Sequence, residues 1–232
     1  MQIHGFLKTT LLDYPGHVAA TVFFGGCNFC CPFCHNKDLV LSPGAVAAIP
    51  KSEVLAVLEK RKGILDGVCI TGGEPCLQPE LSSFLRELKS MGYLIKLDTN
   101  GYRPDVLKAL CGAGLIDYVA MDIKHSPDKY NMIANVGDFS IAPIEESVTF
   151  LKNGSVPYEF RTTVVAEFHH REDFIKIADW LCGASQYFLQ SYEDSDQVIS
   201  AGFHAASVDT LNDFCSILSE KIKKVEIRGV DA

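Results

Sequence analysis

The chain has 232 residues, a formal net charge of −8 and a hydrophobic fraction of 47%, enough for one sizeable core in an ordinary globular protein. The acidic balance lacks the basic footprint that nucleic acids and anionic membranes select, so neither is an expected partner. No stretch approaches the ~20 apolar residues of a membrane span, and residues 1–16 lack the apolar run of a signal peptide, which makes the cytoplasm the expected compartment.

In chain order, residues 1–17 read as a short N-terminal segment preceding the barrel strands. The first apolar, β-branched run spans 18–24 and opens into a cysteine-rich loop. A helical candidate at 52–62 stops at Gly63, and a second apolar run, 67–70, leads into Thr71-Gly72-Gly73-Glu74-Pro75. Leu81, Phe84, Leu85 and Leu88 then follow i, i+3, i+4, i+7, the stripe of a core-facing helix, with Gly92 as its C′ stop. The run 93–97 ends at Asp98-Thr99-Asn100-Gly101; a short helix at 104–110 precedes the run 118–123, which carries Asp122-Ile123-Lys124 at its end. Residues 128–139 read as a long irregular loop. Ile144, Val148 and Leu151 suggest a helix before the run 158–165, which contains Arg161. The stripe Phe174, Ile177, Ala178, Leu181 precedes the run 187–189, after which come Gln190 and Glu193. A last helix over Leu211, Phe214, Cys215, Leu218 and Ile222, N-capped by Ser207, leads to a short strand at 225–227.

Apolar strands alternating with amphipathic helices are the pattern of βαβ units and a parallel sheet. Six such units and a final strand predict an α/β fold: a partial (β/α)6 barrel of parallel strands with outer helices, one domain over 1–232. In a parallel sheet all C-terminal strand ends lie on one side. The unusual residues sit at those ends, so the site is expected there.

Cys27, Cys31 and Cys34 are spaced Cys-x3-Cys-x2-Cys on one loop. Three such thiolates can hold three corners of a cubane iron–sulfur cluster, which leaves the fourth iron open to a small molecule. Two rival readings use the same residues: a zinc knuckle on Cys27, Cys30 or Cys31, Cys34 and His35, and a redox pair Cys31-x2-Cys34. Structural zinc sites usually draw pairs from two separated segments, and no second pair follows; the redox pair leaves Cys27 unexplained. Nine cysteines in all oppose a fully paired disulfide framework. The scattered Cys69, Cys76, Cys111, Cys182 and Cys215 read as reduced, mostly buried thiols.

Together these residues resemble the radical S-adenosylmethionine (SAM) superfamily, and within it the glycyl-radical-enzyme activating group, most closely the anaerobic ribonucleoside-triphosphate reductase-activating proteins. The resemblance is carried by Gly5-Phe6-Leu7-Lys8, Leu12-Asp13-Tyr14-Pro15-Gly16, Phe33-Cys34-His35-Asn36, the Gly-Gly-Glu-Pro run, the strand ends at 98–101 and 122–124, and Arg161-Thr162-Thr163-Val164; it weakens after Val165. It implies a [4Fe–4S] cluster on Cys27, Cys31 and Cys34. Reductive cleavage of SAM there would give methionine and a 5′-deoxyadenosyl radical that abstracts a glycine Cα hydrogen from an anaerobic partner enzyme.

The resemblance also distributes roles. Phe33, Cys34 and His35 would neighbour adenine; Gly72, Gly73 and Glu74 would meet the methionine amino group, the glycines letting backbone approach the ligand. Lys124, which shares a strand face with Asp122, would neutralise the SAM carboxylate, while Asp122 would bind a ribose hydroxyl or a cation. Asp98, Thr99 and Asp122 match the positions of a monovalent cation, and Asp13 and Arg161 match positions that grip the substrate's glycyl loop. His169 and His170, Gln190 and Glu193 are secondary candidates. Cys30 departs from relatives that often carry a basic residue there, and reads as a spare thiol or an alternative ligand. The implied partners are a glycyl-radical enzyme, ribonucleotide reductase first, and a flavodoxin or ferredoxin as electron donor. The alternatives are another glycyl-radical enzyme, a small-molecule or peptide substrate, and a non-enzymatic electron carrier.

Overall fold

A computed structural model describes residues 2–230. Its centre is one sheet of eight strands in sequence order: β1 (Ile3–Thr10), β2 (Ala19–Phe24), β3 (Gly67–Gly72), β4 (Leu94–Thr99), β5 (Tyr118–Asp122), β6 (Tyr158–Val164), β7 (Tyr187–Ser191) and β8 (Val225–Arg228). β1 runs antiparallel to β2; every later neighbouring pair is parallel. The helices are α1 (Lys37–Leu41), α2 (Lys51–Glu59), α3 (Leu81–Ser90), α4 (Pro104–Gly112), α5 (Tyr130–Ala134), α6 (Ala142–Asn153), α7 (Arg171–Trp180) and α8 (Val208–Ser219). Among the described residues no helix is long and apolar enough to cross a membrane.

Side chains alternate between the two faces of a strand, and here the faces have opposite chemistry. Val22, Phe24, Val68, Ile70, Ile95, Leu97, Val119, Met121 and Phe160 are buried in the hydrophobic core. The α3 stripe Leu81, Phe84, Leu85, Leu88 is buried with them, Phe84 meeting Phe24 edge-on at 6.1 Å. Each such side chain contributes about 1.5–3 kcal/mol relative to exposure. α7 and α8 are joined by Phe174 stacked on Phe214 at 4.2 Å. The other sheet face is polar. Thr21, Cys69 and Lys96 are successive register partners across β2, β3 and β4, Asp122 pairs with Arg161 across β5 and β6, and Gln190 with Arg228 across β7 and β8.

Two elements depart from the sequence reading. Residues 3–10, where no strand is expected, form the antiparallel edge strand β1 ahead of the parallel strands. Its sequence, IHGFLKTT, has only Ile3 buried, so it offers neither an apolar run nor a clean alternation, and its pairing is broken by two register shifts. Residues 128–139, expected as irregular loop, contain α5. Tyr130, Ile133 and Ala134 form its buried face, and Asn135 at φ 53° ends it in a left-handed cap. The remaining strands start and stop within two residues of the apolar runs, and the final short strand is present. β1 and β8 are the sheet's two edges and do not pair, so the sheet stays open.

Candidate active site

The cysteine loop leaves β2 and is seated on the end of β3 by backbone. Gly73 N–H donates to Phe24 O at 2.8 Å and Glu74 N–H to Gly26 O at 2.8 Å. Asn36 Nδ2 donates to Gly72 O at 2.7 Å. This seating explains the glycine pair. Gly72 has φ +120°, and a Cβ there would lie 2.3 Å from Phe24 N and O; a Cβ on Gly73 would lie 2.0 Å from Gly26 O. The crowding comes from the protein's own backbone. Residues 192–206 cross the loop from the far side: Ile199 N–H donates to Cys34 O at 3.2 Å, Ser200 N–H to Pro32 O at 2.8 Å, and His35 Nε2 meets Glu193 O at 2.6 Å.

Above the strand ends lies a cavity of about 260 Å³ that Cys27, Cys31 and Cys34 all line and Cys30 does not. Cys30 instead ties the loop to α5, its N–H donating to Ala134 O at 2.9 Å. All nine cysteines are free thiols. Burial pushes the Cys27 thiol up to about 12 and the Cys31 thiol up to about 11, so these groups need a strong local cation to become thiolates. Iron supplies that charge directly. The surroundings fit such a cluster: Phe29 N–H donates to Cys27 Sγ at 3.4 Å, Asn100 Nδ2 lies 3.9 Å from the same sulfur, and the buried Asn28 Nδ2 has no acceptor among the described residues. N–H donors around sulfur tune iron–sulfur clusters. Among the described residues no three Cys, His, Asp or Glu side chains are gathered closely enough for one metal ion. A cube places its ligands on different irons and therefore wider apart.

Opposite the cysteines runs a chain of alternating charges. Lys96 Nζ donates to Asp98. Arg161 lies between Asp98 (Nη2 to Oδ2, 3.2 Å) and Asp122 (Nε to Oδ1, 2.6 Å). Lys124 Nζ donates to Asp122 Oδ2 at 2.8 Å. Burial alone would raise the Asp98 and Asp122 carboxyls, but Arg161 and the lysines outweigh it and hold both below the usual range. Burial would likewise favour neutral Lys124, and Asp122 outweighs it. Three cations against two carboxylates leave one positive charge, the complement of one ligand carboxylate. The cation positions implied by the resemblance are therefore already engaged: Asp98 by Lys96 and Arg161, Asp122 by Arg161 and Lys124.

Glu74 does not line the cavity. It is 1% exposed, and its carboxylate accepts from Cys76 N–H at 2.9 Å, Thr99 Oγ1 at 2.9 Å and Asn100 N–H at 2.7 Å. It clamps the end of β3 to that of β4. Thr99 spends its hydroxyl proton on this clamp but still borders the cavity. His169 is buried behind the site: Val165 N–H donates to its Nδ1 at 3.1 Å and its Nε2 meets Lys124 O at 3.0 Å. His170 precedes α7, its N–H bonded to Asp173 at 3.0 Å. Phe33 borders the cavity and packs against Phe168 at 5.9 Å and Tyr192 at 6.4 Å. Gln190 and His35 also line it; Glu193 contributes the carbonyl that holds His35. Asp13 lies elsewhere, accepting the Thr21 hydroxyl in a second cavity that Arg161 also lines. Asn36, Thr71, Asn100 and Thr163 border the main cavity without having been singled out; each stands in or beside a noted strand-end run, the signal that could have found them.

The Radical SAM superfamily matches residues 21–181, and the chain belongs to it. A "Putative glycyl-radical enzyme activating enzyme" of Methanocaldococcus jannaschii is 32% identical over 198 residues, 84% of this chain and 81% of that protein. The pyruvate formate-lyase-activating enzyme of Clostridium pasteurianum is 35% identical over 146 residues, 59% of this chain and 58% of that protein. Within the superfamily the chain therefore stands with the glycyl-radical-enzyme activating enzymes. Among solved structures, Streptococcus suis SuiB bound to S-adenosylmethionine shares the fold, with a TM-score of 0.68 at 12% identity over 90% of this chain and 52% of SuiB. This chain is an enzyme whose cofactors are SAM and a [4Fe–4S] cluster.

Proposed function

We propose that this chain is a cytoplasmic activase that installs a glycyl radical on anaerobic ribonucleoside-triphosphate reductase, with a flavodoxin or ferredoxin as electron donor. The observation that carries the reading is the single cavity that joins Cys27, Cys31 and Cys34 to Asp98, Asp122, Lys124 and Arg161. The names of its relatives supply the partner class, and the motif resemblance supplies the reductase. When bound, the cluster and SAM supply a reductively generated carbon radical that takes a hydrogen atom.

The protein's own residues bind and orient. Cys27, Cys31 and Cys34 hold the cluster. Lys124, with the spare positive charge of its ion-pair chain, holds the SAM carboxylate. Phe33, buried against Phe168 and Tyr192, gives the adenine an apolar, water-excluding face. Asp13 and Arg161 orient the partner's glycine segment. Gly72 and Gly73 fix the seat of the cysteine loop, and Glu74 fixes the adjacent strand ends. The test is anaerobic reconstitution followed by mixing with the reductase, SAM and dithionite. A doublet glycyl-radical resonance on the reductase, with one 5′-deoxyadenosine per radical, is the expected result. SAM cleavage without that resonance refutes the partner; no SAM cleavage refutes the activity.

A further inference from the structure

The ladder joining β5 to β6 ends at Ile123, whose N–H donates to Arg161 O at 2.8 Å. Past that point two histidines tie the chains together. His169, in the connection from β6 to α7, brings its Nε2 to Lys124 O at 3.0 Å. His125, in the connection that follows β5, brings its Nε2 to Phe168 O at 3.0 Å. Each connection thus holds the other through a side chain. The two rings stack at 5.1 Å with 19° between their planes, and both are buried.

The tautomers follow from the backbone. Val165 N–H donates to His169 Nδ1 at 3.1 Å, and Ser126 N–H to His125 Nδ1 at 2.8 Å. A backbone N–H only donates, so both Nδ1 atoms are bare and both Nε2 atoms carry the proton. Val165 O, 3.3 Å from His169 Nδ1, already accepts the His169 N–H at 3.0 Å. Each ring spends both nitrogens on the protein, and neither borders the cysteine-lined cavity.

The groups held this way do border it. Lys124 lines the cavity, and its carbonyl is the atom that His169 grips. Phe33 lines it too and rests on the other half of the pair, its ring 5.9 Å from Phe168 and 6.2 Å from His169. We propose that His125 and His169 are positioning residues for SAM, a reciprocal brace that sets the spacing between Lys124 at the carboxylate end and Phe33 at the adenine end. This rests on the SAM contacts proposed above and names what holds them in register. A ligand that spans both ends gains from a spacing fixed in advance. A fragment that fills one end does not.

The experiment measures binding to the reconstituted holoenzyme without oxygen: SAM by equilibrium dialysis, methionine and 5′-deoxyadenosine by competition. His169→Phe keeps a stacked ring but removes both hydrogen bonds, whereas His169→Gln keeps a donor at the Nε2 position. For H169F we expect the SAM Kd to rise tenfold or more while both fragments stay within threefold of wild type. H169Q should stay within threefold for all three ligands. A smaller rise in H169F, or equal losses for SAM and the fragments, overturns the brace. A second measurement needs no folded variant with an altered core: nitrogen-15 spectra of the histidine-labelled wild-type holoenzyme should show both rings locked in the Nε2–H form at pH 7. A bare Nε2 or averaging between tautomers in either ring overturns the brace as well. Lys124→Met that binds SAM as tightly as wild type overturns the carboxylate contact itself, and the brace's role with it.

Discussion

Asp122 and Arg161 are register partners on adjacent parallel strands, and Arg161 Nε reaches Asp122 Oδ1 at 2.6 Å while its Nη2 reaches Asp98. One guanidinium thereby satisfies two partly buried carboxylates on two different strands. Arg161→Met leaves each carboxylate with a single lysine. We expect a loss of about 2 kcal/mol in urea unfolding at pH 7, below the scale for a fully buried pair because water reaches both carboxylates and each keeps a lysine. Both carboxyls are depressed in the folded state, so they contribute stability that is full above the ordinary carboxylate range and is lost as pH falls from that range through their lowered folded values. The variant should therefore lose less on acidification than wild type. Arg161→Lys should recover little, because an ammonium cannot reproduce the fork.

Glu74 is held by three donors, yet burial outweighs them and raises its carboxyl. Glu74→Gln places an amide N–H₂ among groups that are themselves donors. Destabilisation of about 2 kcal/mol, read from denaturant midpoints, is expected from the lost and mismatched bonds. SAM affinity should weaken as well, since the clamp fixes Thr99 and Asn100 beside the cavity. Wild-type SAM affinity in this variant would show that the clamp serves stability only.

Gly73→Ala must push the β3 end away from Gly26 O. Stability should fall by about 3 kcal/mol, the upper range for overpacking, and iron per chain after reconstitution should fall with it because the cysteine loop loses its seat. Gly112 in α4 is the control: a Cβ there meets nothing within 4 Å, so Gly112→Ala should be neutral or stabilising by up to about 1 kcal/mol.

Burial lowers His169 to about 4 from 6.5 and lowers His125, stacked on it at 5.1 Å. The unfolded chain therefore binds more protons between these values, and stability rises with pH across that window and is lost as pH falls from about 6.5. The slope should approach 1.4 kcal/mol per pH unit for each fully titrating group, measured as urea midpoints between pH 5 and 7. His169→Gln should flatten it.

Cys27→Ala, Cys31→Ala and Cys34→Ala should each abolish the four-iron cluster signal and SAM cleavage, whereas Cys30→Ala, outside the cavity, should keep both. Iron and acid-labile sulfide assays with Mössbauer spectra provide the check.

Much of the fold was readable because β2 through β8 are short apolar runs closed by polar or glycine-containing ends. β1 was not: its outer residues face water and its glycine blurs the period. The alternation within β4 and β6, where Lys96, Asp98, Glu159 and Arg161 interrupt the apolar residues, was the trace of the polar sheet face. The cysteine triad and the strand-end residues Gly72, Gly73, Asp98, Thr99, Asp122 and Lys124 line one cavity, as the parallel topology demands, but Glu74 does not. Glu74 was legible as unusual, but its partner Asn100 lies 26 residues away, and only the pairing of β3 with β4 brings them together. His169 gave no sign that both its nitrogens were committed to backbone.

The crossing of residues 192–206 over the cysteine loop has a consequence for biosynthesis. The sulfur ligands emerge from the ribosome early, but the backbone donors of Ile199 and Ser200 that lock Cys34 and Pro32 emerge some 165 residues later than Cys34. Until that late segment arrives, the carbonyls of Cys34 and Pro32 lack these donors and the ligand loop is held by its contacts with β3 and α5.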